Sequence, residues 1–212
     1  MDFEPFKGGE FVESELGKIP KGWKVDSIYE LINVMYGYPF KSKLFNDYQG
    51  IGLIRIRDLK NNYTGFFTTE NADEKYLVHP GDVLSGMDAE FKASLWLGEI
   101  SWLNQRVCKF EPKYPFINNL FILYSVKPLL LKSEYGQVGT TVIHLGKSDI
   151  DKYKIITPDR QTLMKINDIF APIHKSIINI EQEKRKLSVL RDTIMPKLMS
   201  GELSVEEAER QL

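Results

Sequence analysis

Aromatic and basic side chains are interleaved over residues 36–61 in a pattern suited to a polyanion. Tyr36, Tyr38 and Phe40 alternate with Lys41 and Lys43, and Arg55, Arg57, Lys60 and Asn61 follow. Lysine and arginine neutralise phosphates, while Arg, Asn and Gln can meet base edges through paired hydrogen bonds. Gly37 and Pro39 make the first part of this segment a loop, in which side chains can be aimed. The same residues also fit a solvated charged strand face with its aromatics in the core, and composition alone leaves the two readings even.

Two further stretches carry suitable groups. Ser85 to Ser94 holds Met87, Asp88, Glu90 and Lys92 with no apolar period, which predicts a loop projecting from the body. Acids there do not exclude DNA, because Asp and Glu can accept from cytosine N4. Gly136 to Thr141 offers Gln137, Thr140 and Thr141 as phosphate or base donors on a glycine-rich turn.

Signals for catalysis are weak by comparison. His79, His144 and His174 are scattered without zinc-ligand spacing and read as structural. The glycines build neither a phosphate-binding loop nor a nucleophile elbow. Asp82 followed by Glu90-Phe91-Lys92 imitates the paired acids and lysine of Mg²⁺-dependent nucleases. Only eight residues separate the two acids, and no strand order supports a metal site. A turn aspartate and a polar loop are the simpler reading. The expectation is therefore no catalytic residue, no metal and no cofactor.

Positioning such loops requires a scaffold, and the pattern predicts an α+β one. An extended lead-in over 1–21 ends in Pro20-Lys21-Gly22, and Asp26 or Ser27 is placed to cap a short helix through Ile32. Ile51 to Leu59 alternates as a strand, and His79-Pro80-Gly81-Asp82 turns into Val83-Leu84-Ser85. Short strands are expected near Trp96, Ile100 and Val107. Residues 116–132 read as helix to Val126 and again around Leu129. A last strand at Ile155-Ile156 precedes Thr157-Pro158-Asp159, where Thr157 or Asp159 caps a long helix. The divisions are lead-in 1–21, strand-rich globular domain 22–158, helix 159–200 and acidic tail 201–212.

That helix carries an apolar stripe at alternating spacings of three and four. It runs through Leu163, Ile166, Phe170, Ile173, Ile177, Ile180, Leu187, Ile194 and Leu198, with Lys184 and Arg191 as its only breaks. This is the heptad pattern of a coiled coil, whose seam needs a facing helix. No other segment of the chain supplies a helix of that length. Ile173, Ile177, Ile180, Leu187, Ile194 and Leu198 are therefore expected to meet another molecule or a second copy. Pro172 predicts a kink or break near 168–172, and Pro196 with Gly201 should close the arm.

Composition sets the outer bounds. The 212 residues, 42% hydrophobic and 27% charged, describe a globular chain rather than a disordered one. The net charge of −1 hides an asymmetry. Residues 1–20 hold five acids and two lysines, and 201–212 hold four acids and one arginine, so the body between them carries +5. That is a modest field compatible with nucleic acid. An acidic N-terminus, the lack of any apolar run near 20 residues, and a lone cysteine, Cys108, predict a cytoplasmic protein with a buried reduced thiol and no membrane contact.

Several stretches together resemble the specificity subunits of type I restriction–modification enzymes. The resemblance begins at Gly17-Lys18-Ile19-Pro20-Lys21-Gly22-Trp23 and continues through Ile54-Arg55-Ile56-Arg57-Asp58-Leu59 and Pro80-Gly81-Asp82-Val83-Leu84. It includes Asn104-Gln105-Arg106-Val107 and Gly139-Thr140-Thr141, and ends on Leu190-Arg191-Asp192-Thr193-Ile194-Met195-Pro196-Lys197-Leu198 through Leu203. Gln105 and Arg106 thereby join the candidate DNA contacts. The resemblance implies a target recognition domain that binds one half of a bipartite double-stranded DNA sequence. It also implies a spacer helix that docks modification (methyltransferase) subunits and, through them, restriction subunits. Such a subunit has no catalysis of its own, and S-adenosylmethionine would be bound by the partner.

A typical member of that family has two recognition domains and two spacer helices, whereas this chain has one of each. A natural half-subunit that dimerises is the expectation, against a fragment or shortened product. From Leu163 to Leu198 a straight helix spans about 50 Å, which corresponds to roughly 15 base pairs. A symmetric homodimer of such arms would read an interrupted palindrome. Two other readings remain open at this point: a coiled-coil adaptor whose globular domain binds protein, and a nuclease or methyltransferase in its own right.

Overall fold

The computed structural model describes residues 9–88, 90–136 and 144–209. The chain forms two compact units, residues 1–174 and 175–212. The first is a strand-rich α+β unit; the second consists of the remainder of the long helix and the segment that follows it.

Among the described residues, thirteen short strands appear in chain order: β1 Phe11–Ser14, β2 Gly17–Pro20, β3 Lys24–Ser27, β4 Ile32–Tyr36, β5 Phe45–Asn46, β6 Ile51–Ile54, β7 Phe67–Thr68, β8 Leu77–Val78, β9 Val83–Gly86, β10 Ser94–Leu95, β11 Ser101–Leu103, β12 Val107–Pro112 and β13 Lys154–Thr157. The helices are α1 Asn119–Gly136, α2 Lys147–Ile150, α3 Arg160–Ser200 and α4 Val205–Glu209. Two sheets form the body, one in the order β10-β9-β12-β4 and one in the order β5-β7-β6-β11-β8. Most pairs are antiparallel, but β6 and β11 run parallel with Leu103 opposite Ile54. An antiparallel ribbon of β13 with β3 joins the end of the globular part to its start.

Burial explains these pairings. Ile54, Val78, Leu84, Trp96, Leu103 and Val107 form a core cluster between the sheets, and Phe40, Leu53 and Trp102 form a second. Gly37 allows a close backbone approach, since a Cβ there would lie 2.1 Å from the carbonyl oxygen of Asn104. Side chains that fully bury a Leu, Ile or Phe each gain roughly 1.5–3 kcal/mol, so a dozen such positions hold the unit together.

Local chemistry decides several boundaries differently from the simple pattern. The expected lead-in over 1–21 contains a β1–β2 hairpin paired from Phe11 with Pro20 to Ser14 with Gly17. The Ile51–Leu59 alternation is strand only to Ile54; Ile56–Lys60 is a 3-10 helix, because the Asp58 carboxylate accepts the Arg55 backbone N–H at 2.9 Å and turns the chain. Residues 85–88 and 90–94 do not project as a loop. Ser85 and Gly86 lie inside the central strand β9, Met87, Phe91 and Ala93 are buried, and Glu134 of α1 accepts the Phe91 N–H at 2.9 Å. Helix α1 is continuous through Pro128, whose exposed face it shares with Tyr124 one turn earlier.

The expected break at Pro172 is absent, and α3 is helical from Arg160 to Ser200. A proline removes one helical hydrogen bond, but packing on both sides compensates. Phe170 meets Tyr124 of α1 with ring centroids 6.5 Å apart, and His174 Nε2 lies 2.9 Å from the Gly81 carbonyl. Asp159 caps the start, accepting from the Thr162 N–H at 3.0 Å. Pro196 does not close the helix; Gly201 does, at φ +76°.

Candidate nucleic-acid interface

The parallel register of β6 with β11 determines what meets at the C-terminal ends of these two inner strands. Because Leu103 sits opposite Ile54 and both strands run the same way, the residues that follow them emerge side by side. Arg55, Arg57 and Lys60 come from one strand end, Asn104 and Arg106 from the other, and Glu90 arrives from the segment after β9. Together with Ile56 these residues line an open depression of about 640 Å³. Arg57, Lys60, Arg106 and Glu90 are exposed. A concave surface with four cations concentrates positive potential and suits a phosphate backbone.

Two of the arginines are held rather than free. The Arg55 guanidinium lies 4.0 Å from the Phe66 ring centroid, and its Nε is 3.3 Å from Asp58 Oδ2. Stacking on an aromatic face and a side-on carboxylate together fix its plane. Arg106 Nε lies 3.6 Å from Asp88 Oδ2, while His144 Nδ1 lies 2.6 Å from the other oxygen of the same carboxylate. The Met87 N–H donates to the Arg106 carbonyl at 3.0 Å, locking the two turns together.

The remaining candidates divide. Lys41 and Lys43 are exposed around the 3-10 turn Ser42–Leu44, with Lys41 tied to Glu70 through its backbone N–H at 2.8 Å. Asn61 and Gln105 are exposed beside the depression's lining residues in sequence. Lys92 lines an adjoining cleft of about 240 Å³ with Glu90, Lys127 and Glu134. Tyr38 packs in the core, 4.9 Å from Phe40 and 5.3 Å from Tyr76 between ring centroids. Tyr36 is half-buried near Tyr29, and burial pushes its hydroxyl well above the ordinary tyrosine range. Met87 is turned inward. Gln137, Thr140 and Thr141 lie outside the described residues.

Local pattern marks Glu90 only as one acid of the 85–94 segment and does not mark Asn104. The signal for Asn104 is non-local, since the pairing of β6 with β11 brings it beside Arg55 and Arg57. Asp82, the acid of the nuclease-like pattern, accepts the His79 N–H at 2.8 Å and lies 3.8 Å from the buried Lys109 ammonium. Lys109 also meets Glu111 at 2.8 Å and donates to the Leu77 carbonyl at 2.9 Å. Asp82 is thus a structural acid of the turn. Among the described residues, no helix is long and apolar enough to cross a membrane.

On α3 the stripe residues differ in cover. Leu163 is buried in the first unit. Ile173, Ile180 and Leu187 are 47%, 64% and 57% exposed, and Ile177, Ile194 and Leu198 are half-buried along the helix.

The specificity subunit of the EcoBI type I restriction enzyme from Escherichia coli is 28% identical over 208 residues, covering 94% of this chain and 44% of its own length. The MjaIX specificity subunit from Methanocaldococcus jannaschii is 31% identical over 226 residues, covering 98% and 51%. The chain therefore spans about half the length of these relatives. In fold it is similar to the S subunit of the type I restriction–modification system from M. genitalium, with a TM-score of 0.61, 16% identity, and coverage of 84% of this chain and 46% of that one. The HsdS subunit from Thermoanaerobacter tengcongensis gives a TM-score of 0.55 at 16% identity, with 91% and 48% coverage. Residues 20–190 match the family described as type I restriction modification DNA specificity domain, and the chain belongs to that family.

Proposed function

We propose that this chain is a non-catalytic DNA-recognition subunit that reads one half of a bipartite double-stranded target and directs modification subunits, and through them restriction subunits, to it. The observation that carries this reading is the convergence of Arg57, Lys60 and Arg106 from two parallel strand ends onto one concave surface. The exposed apolar stripe of α3 supports assembly through that helix, as a homodimer on an interrupted palindrome. We infer a cytoplasmic location, which the proposed DNA substrate supports.

The test is binding of the full chain to duplex DNA across a salt series. Phosphate contacts release counterions, so log K falls with log salt by about 0.9 per phosphate neutralised. Arg57→Ala, Lys60→Ala and Arg106→Ala should each lower that slope by about one contact and weaken all sequences alike. Salt-insensitive binding to a protein partner, without DNA binding, would favour the adaptor reading. Mapping of methylated sites in cells with and without the gene reads the target itself, and two unrelated half-sites without a second specificity chain would rule out the homodimer.

A further inference from the structure

Glu90 is out of place on the surface just described. A carboxylate among Arg57, Lys60 and Arg106 repels the polyanion those residues attract. Glu90 is exposed, and among the described residues its carboxylate has no ion-pair or hydrogen-bond partner to neutralise it. Its backbone, however, is held firmly. The Glu90 N–H donates to the Asp88 carbonyl at 2.9 Å, and the next residue, Phe91, is fully buried with its N–H on Glu134. The Glu90 carbonyl also passes close enough to Gly86 that a Cβ there would lie 3.0 Å from it. The side chain thus starts from a fixed point on the rim that the depression shares with the adjoining cleft of Lys92 and Lys127.

An ionised carboxylate only accepts hydrogen bonds. In the major groove the exocyclic amines of cytosine and adenine are the donors on the base edges, and the carboxylate pairs characteristically with cytosine N4. Resting on the DNA-binding reading above, we infer that Glu90 is a specificity-determining residue that accepts a hydrogen bond from the 4-amino group of a cytosine while the surrounding cations hold the flanking phosphates. The acid then lowers affinity for every duplex lacking that amine at the right step, which is discrimination by an unpaired charge.

The experiment is selection of bound duplexes from a random pool by the full chain, for the wild type, Glu90→Ala and Glu90→Gln. The wild type should require a cytosine at one position, with replacement of that base pair weakening binding by about 5- to 150-fold. Glu90→Ala should bind all bases at that position alike, and Glu90→Gln should move the preference toward adenine, which the amide can meet at N6 and N7. A duplex carrying 2-pyrimidinone at that position, which lacks the 4-amino group, should weaken the wild type and leave Glu90→Ala unaffected. Tighter binding of Glu90→Ala to all duplexes with the same sequence preference as wild type overturns the inference and leaves DNA recognition intact. Failure of the wild type to bind duplex DNA overturns both.

Discussion

The Asp58 carboxylate holds Arg55 twice, accepting its backbone N–H at 2.9 Å and approaching its Nε at 3.3 Å. One buried acid therefore ends strand β6, starts the 3-10 turn and orients a cation of the candidate interface. Asp58→Ala should lower stability by about 1–2 kcal/mol, the cost of a lost cap and a charge-assisted hydrogen bond. It should also weaken binding to the preferred duplex more than to random DNA, because Arg55 loses its fixed plane. Urea unfolding and competition binding on the same variant check the two effects, and equal loss on all duplexes would separate Arg55 from base reading.

Lys109 is 4% exposed in its side chain and sits between Asp82 and Glu111. Lys109→Ala should cost roughly 3 kcal/mol, since it strips a buried cation from two acids. The Asp82 carboxyl is raised above its ordinary 3.8 by burial, against the opposing pull of the His79 N–H and Lys109. A carboxyl raised on folding favours the native state fully below 3.8, and that contribution is lost as pH rises through the folded value. Asp82→Asn keeps an acceptor for His79 and removes this titration. Its stability relative to wild type should improve as pH rises above 3.8, read from urea midpoints; a pH-independent difference would refute this.

How far these features could be read in advance depends on their range. The caps at Ser27 and Asp159 and the seam of α3 are local, set by residues within a turn or by a long repeat, and they stand in the sequence openly. The turn at Ile56–Lys60 is hidden, because Ile-Arg-Ile-Arg satisfies a strand period while Asp58 redirects the backbone. Met87 and Phe91 show no periodicity, yet both are buried by sheet and helix partners distant in sequence. Arg106 was legible as a basic residue in a matching stretch. Its neighbourhood with Arg57 was not, since parallel pairing leaves no local mark.

Cys108 lies fully buried on β12, its thiol 3.6 Å from the Ser85 carbonyl, and burial pushes it up from 9.0 to about 12. It should stay a protonated thiol at neutral pH and react with a thiol reagent only through opening of the sheet. The labelling rate should rise with denaturant in step with unfolding. Its contribution to stability is intact below pH 9 and falls as pH climbs toward 12. Rapid stoichiometric labelling in native buffer would contradict the burial.

Ile180 and Leu187 stand 64% and 57% exposed, two turns apart on one helix face. The double substitution Ile180→Asp with Leu187→Asp should convert a dimer to a monomer in sedimentation equilibrium. Unfolding of the first unit should be unchanged, because neither residue belongs to it. A wild type already monomeric at tens of micromolar would remove the helix as a self-association surface.

The parallel pairing of β6 with β11 also separates two tasks that most binding surfaces fuse. The pairing and its buried side chains fix where both strand ends emerge, while Arg57, Lys60, Gln105 and Arg106 hang from those ends in solvent. Exchange of these four residues leaves the core cluster untouched. Frame and presented groups are therefore separable: the charge carried at these strand ends can change, one exposed residue at a time, without refolding the frame that carries it.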